Sequence, residues 1–66
     1  MKTYWILQVN DNFHIIPAMN EEEIDRTYAT VVNILPDEAW VAVIGGGWTY
    51  EIAKKELTIL LANRKN

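Results

Sequence analysis

The chain has no cysteine, no serine and a single histidine among its 66 residues. Without cysteine there is no disulfide framework and no thiolate zinc site. One imidazole is too few for a histidine-based metal centre. With neither Ser nor Cys, no Ser–His–Asp or Cys–His nucleophile can be assembled, and the few threonines carry no motif. His14 reads as a surface strand residue rather than a catalytic one. The carboxylates Asp37 and Glu38 follow Pro36 in an evident turn, with nothing nearby to raise a pKa for acid catalysis. No enzyme activity, cofactor or metal is expected.

Long apolar runs are missing too. The longest uncharged stretch, Ala39 to Tyr50, contains all three glycines and is too short to span a bilayer. The apolar segment Tyr4–Val9 is too short for a signal-peptide core, and no small-residue cleavage site follows it. A cytoplasmic location is the default, and the lack of cysteine fits it.

What is present is a folding composition: 50% hydrophobic and 23% charged residues, with a mean hydropathy of −0.07. The length allows one domain, residues 1–66. A chain of this size buries only about 60% of the surface its unfolded form exposes. Such a core is marginal, and efficient packing or self-association must compensate. The formal charge of −3 is unevenly spread. Residues 1–53 hold two basic and eight acidic side chains; residues 54–66 hold four basic (Lys54, Lys55, Arg64, Lys65) and one acidic, Glu56. The acidic body disfavours duplex nucleic acid, whose binding rests on Lys and Arg neutralising phosphates. The basic end suits the last turn of a helix, where the dipole favours cations.

Thr3–Val9 is aromatic and β-branched and reads as a strand. Asn10-Asp11-Asn12 reads as a three-residue turn, and Phe13–Ile16 as a second strand ended by Pro17. A helix should begin at Asn20, an N-cap with Glu23 at N3 as its capping-box partner and Met19 and Ile24 spaced for a hydrophobic staple. Glu21, Glu22 and Glu23 occupy the dipole-favoured first turn. Ile24, Tyr28, Val31, Val32 and Leu35 fall on one helical face, and Pro36 stops the helix near Asn33. Ala39–Ile44 is a continuous apolar run, as in a strand buried on both faces. Gly45-Gly46-Gly47 then reads as a hairpin turn.

Two readings compete beyond it. Trp48–Ile52 alternates with strand period, yet Tyr50, Ala53, Leu57, Leu60 and Leu61 also form a helical stripe, with Glu51 and Lys55 as an i,i+4 pair. An internal parallel favours the strand: Trp5, Val9 and Phe13 are spaced as Trp40, Ile44 and Trp48 are. The expected fold is α+β, a small antiparallel sheet in ββαββα order with both helices on one face. A ββαβα order, with one long helix from Thr49, is the fallback.

A three-residue first loop would place Trp5, Leu7, Val9, Phe13, Ile15, Trp40, Ala42, Ile44, Trp48, Tyr50 and Ile52 on one face, under the helices. The other face would carry Tyr4, Ile6, Gln8, His14, Ile16, Val41, Val43, Thr49 and Glu51. Of these, Tyr4, Ile6, Ile16, Val41 and Val43 would form an exposed apolar patch, which usually marks an interface. If instead the helices sat one on each face, no such patch would exist.

The function expected is a small protein-interaction module, accessory or inhibitor-like. It would bind a partner or a second copy, the latter as a homo-oligomer, a dimer, through that patch or through Glu21, Glu22 and Asp25 of the acidic first helix. Small acidic proteins of this kind are common among phage and mobile-element accessory proteins, an association and not an assignment. Two alternatives remain. Single-stranded nucleic acid could stack on Tyr4 and His14 of an open sheet face, against the field of Glu51. A phosphate could sit on backbone N–H groups at Gly45–Gly47, although no G-x-G-x-x-G spacing or P-loop lysine is present.

Overall fold

A computed structural model describes residues 1–64. The order is β1 (Thr3–Val9), β2 (Asn12–Ala18), α1 (Glu21–Ile34), β3 (Val41–Trp48) and α2 (Tyr50–Arg64). The α+β class stands, and the order is the ββαβα fallback rather than ββαββα. The strands form one antiparallel sheet in the order β2-β1-β3, with β1 in the centre.

The first hairpin turns in two residues, not three: Val9 pairs with Asn12 across Asn10 and Asp11. Asn10 makes this possible. Its φ of 53° supplies the positive dihedral at the first central position of a tight primed turn. Asn, whose short side chain bonds locally, tolerates that region better than most residues. The same residue ties β3 to the turn. Its backbone N–H donates to the Trp40 carbonyl at 2.7 Å, and its Oδ1 accepts from the Trp40 N–H at 3.0 Å.

One residue fewer in the loop turns β2 over. Trp5 now pairs with Ile16 and Leu7 with His14, while Ile6 pairs with Ile15 and Gln8 with Phe13. Phe13 and Ile15 therefore share a face with Tyr4 and Ile6, opposite to the expected arrangement. On β1 the neighbours Ile6 and Leu7 point to opposite faces, yet both are buried, at 0% and 5% exposure. Both faces of the sheet are therefore covered, one helix to each. The expectation that both helices share a face fails because three strands span only about 10 Å, roughly the width of one helix. The overall extents, 35 × 32 × 11 Å, are those of such a three-layer slab, thin across the sheet and deep through the layers.

α2 lies on the Tyr4 face: the rings of Tyr4 and Tyr50 meet edge to face at 5.2 Å. Its Ala53 is fully buried. α1 takes the Leu7 face, with Ile24 buried and Thr27, Val31 and Leu35 half-buried along one stripe. Its N-terminus forms as the local signals require: Asn20 Oδ1 accepts from the Glu23 N–H at 3.0 Å, and Glu23 Oε1 accepts from the Met19 N–H at 2.9 Å. Met19, placed for a staple, stays exposed.

The glycine run is not a turn. Gly45, Gly46 and Gly47 lie inside β3, paired along β1 with bulges at Ile44 and Gly47. Each glycine has its own reason. Gly46 faces Trp5, and a Cβ there would fall inside the inner edge of the indole. Gly45 lies on the other face under Trp48, where a Cβ would come within 2.9 Å of Cη2 at the ring's far end. Gly47 has φ of +80°, a bulge conformation that suits glycine. The Trp5 ring is held in place, its N–H donating to Thr3 Oγ1 at 2.9 Å and that hydroxyl donating to the Ala18 carbonyl at 3.1 Å. A tryptophan thus lies over a glycine on each face of the sheet.

Two predictions follow from the packing. Gly46→Ala should lose about 2–3 kcal/mol, because the Trp5 ring is blocked near its own Cβ and cannot swing aside without leaving its rotamer. Gly47→Ala should cost about 1–2 kcal/mol through its backbone alone, and Gly45→Ala less than about 1 kcal/mol, since Trp48 can yield at its tip. Urea unfolding followed by tryptophan fluorescence reads this ranking, and equal losses at all three would refute it. Asn20→Ala should remove the α1 cap and cost about 1 kcal/mol. Thermal unfolding should then shift down by about 4–8 °C, as a domain of this size responds.

Candidate interaction surface

The five apolar residues expected to form a patch do not meet. Tyr4 and Ile6 are on the α2 side of the sheet; Ile16, Val41 and Val43 are on the α1 side. Ile6 is fully buried and the other four are half-buried. This corrects the outer-face geometry, for the physical reasons already given: the tighter turn and the helix on each face. β3 is an edge strand rather than one buried on both faces. Trp40, Ile44, Tyr50 and Ile52, expected in the core, are all exposed.

The acidic residues are placed as expected. Glu21, Glu22 and Asp25 are exposed on the first turns of α1. His14 is exposed on β2 opposite Leu7, not Gln8, and Glu51 lies on α2 rather than on the sheet. Lys65 lies outside the described residues. A nucleic-acid base stacking on the sheet would need an uncovered face, and both are covered. A phosphate loop would need Gly45–Gly47 as a loop, and they are strand.

α2 is the element whose surface was missed. Thr49 caps it, its Oγ1 accepting from the Ile52 N–H at 3.3 Å and its carbonyl from the Ala53 N–H at 3.0 Å. The helix is apolar on two sides. Ala53, Leu57 and Leu60 face the sheet, and Ile52 and Ile59 lie roughly 100–120° away around the axis. These two isoleucines are 46% and 52% exposed, and line an open depression with Lys55, Lys54, Thr58 and Glu51. Lys54 Nζ also stands 5.6 Å from the Tyr50 ring centroid, at cation–π distance. The signal was legible: Ile52 and Ile59 are seven residues apart, two helical turns, but reading Ile52 as strand hid the spacing.

Among the described residues no group of three or more His, Asp or Glu side chains could hold a metal ion. No buried side-chain polar atom there lacks a hydrogen-bond partner, and no helix is long and apolar enough to cross a membrane. No protein family, no curated protein and no solved structure matches the chain.

Proposed function

We propose that this chain is a small, non-enzymatic, cytoplasmic protein-interaction module that docks through the outer surfaces of its helices. The observation that carries this reading is the exposed Ile52–Ile59 stripe on α2, set among Lys54, Lys55 and Thr58. A stripe of this kind is the usual anchor when a helix docks into a protein partner. The second surface is the acidic outer face of α1, with Glu21, Glu22 and Asp25 exposed. It lies on the opposite side of the slab and would steer a basic partner rather than anchor one.

Affinity capture of the tagged chain from its native host, with mass spectrometry, tests the reading. Ile59→Lys should lose at least one specifically recovered protein, and the pair Glu22→Lys and Asp25→Lys should weaken recovery most at low salt, where attraction to a basic partner is least screened. All three positions are exposed, so the variants should fold, which circular dichroism checks. Recovery unchanged in every variant would refute the proposal. Ile6→Glu, by contrast, should unfold the chain, because it would bury a carboxylate in the core.

A further inference from the structure

Resting on that reading, we infer that the α1 flank carrying Glu21, Asp25, Tyr28 and Val32 docks a basic amphipathic helix of a partner protein. All four residues are exposed. They stand at i, i+4, i+7 and i+11, one stripe about 16 Å long on a helix that rises about 1.5 Å per residue. The acidic pair occupies the N-terminal half of the stripe and the apolar pair the other half. Tyr28 and Val32 are 38% and 43% exposed. They lie roughly 40° and 80° round the axis from the inward line through Ile24, Val31 and Leu35. Ile34, also exposed, falls on the opposite flank and takes no part. Charge alone steers a partner; the apolar pair beside it is the anchor.

Local structure does not account for these residues. The helix dipole explains Glu21, Glu22 and Glu23 in the first turn, and Glu23 also closes the capping box. Asp25 lies beyond that turn. Asp, Tyr and Val are weaker helix formers than the Glu, Lys or Ala that suit an idle helix surface. Among the described residues no ion pair holds Glu21, Glu22 or Asp25, and Arg26 is the only basic residue of α1. The charge then names the partner. A face of one sign repels the phosphates of nucleic acid and of anionic lipid, which leaves a polypeptide bearing Lys or Arg. The α2 stripe allows no such choice, since Glu51 lines it together with Lys54 and Lys55. A helix fits the α1 stripe because its own i, i+4, i+7 ridge matches the spacing. Its apolar residues would meet Tyr28 and Val32, and its cations would meet Glu21 and Asp25, with Glu22 at the rim.

Fluorescence anisotropy with a labelled leucine–lysine peptide of about 14 residues, four helical turns, is the test. With its leucines on one helical face, the peptide should bind the chain about tenfold or more tighter than the same composition scrambled to break that face. Val32→Lys should weaken binding about tenfold. Asp25→Asn should weaken it several-fold at low ionic strength and hardly at all at high salt. Ile59→Lys, on the other side of the slab, should leave it unchanged. Circular dichroism checks the fold of Val32→Lys, and Asp25→Asn, which removes charge at nearly constant shape, carries the test if that variant unfolds. A wild-type chain that binds neither peptide, equal affinity for both, or binding indifferent to Asp25→Asn at low salt would each overturn the inference. So would a loss with Ile59→Lys as large as with Val32→Lys. A failed titration beside a host partner still lost with Ile59→Lys would overturn only the α1 inference and leave the interaction reading standing.

Discussion

Asn10 holds φ at 53°, and the register of the first hairpin is counted from it. A strand's side chains alternate, so one residue more or less in the first loop exchanges the two faces of β2 entirely. The tight turn sends Ile16 to the side of Trp5 and Leu7, and Phe13 and Ile15 to the side of Ile6. Its two hydrogen bonds to Trp40 then start β3 along the other side of β1. The bulge at Ile44 then shifts β3 by one residue, so that Gly46 rather than Gly45 comes opposite Trp5 and the indole has a place to lie. The hairpin turn and the β3 bulge together set the aromatic packing.

The narrow sheet explains the rest of the architecture. Three strands offer about as much width as one helix can cover, so two helices must take opposite faces. This buries the central strand on both sides and leaves the helix flanks overhanging. It accounts for a small core, Ile6, Leu7, Ala18, Ile24 and Ala53, in a chain that is half hydrophobic. The apolar surplus is displaced to the helix flanks and strand ends, where Ile52, Ile59, Val32 and Trp40 are exposed. The exposed apolar surface of such a molecule is a consequence of geometry as much as of composition.

Local chemistry was the most legible part of the sequence. The strand at Thr3–Val9 and the Asn20 cap formed because their signals act within a few residues; of the expected α1 face, Ile24, Val31 and Leu35 turn inward, whereas Tyr28 and Val32 are exposed. The glycine run was misread because a turn and a bulged strand use glycine alike. Only the neighbours distinguish them, here Trp5 across the strand pair and Trp48 further along β3. Reading Trp48–Ile52 as a strand rested on that turn and on the parallel spacing of Trp5, Val9 and Phe13 with Trp40, Ile44 and Trp48, and it concealed the spacing of Ile52 and Ile59. The acidic positions Glu21, Glu22 and Asp25 were found where expected because charged first-turn residues stay on the surface under any packing.

The sequence by itself determined the class of fold, the capped first helix and the exclusion of thiol chemistry. Those depend on composition and short-range bonding. Only the tertiary structure decided which residues are inside. Burial of Ile6 rather than Ile52 depends on a loop one residue shorter and on a helix crossing from one sheet edge to the other. Neither is encoded in any single window of the chain. Side-chain alternation turns that small local difference into an exchange of faces, and so moves the candidate surface from the sheet to α2.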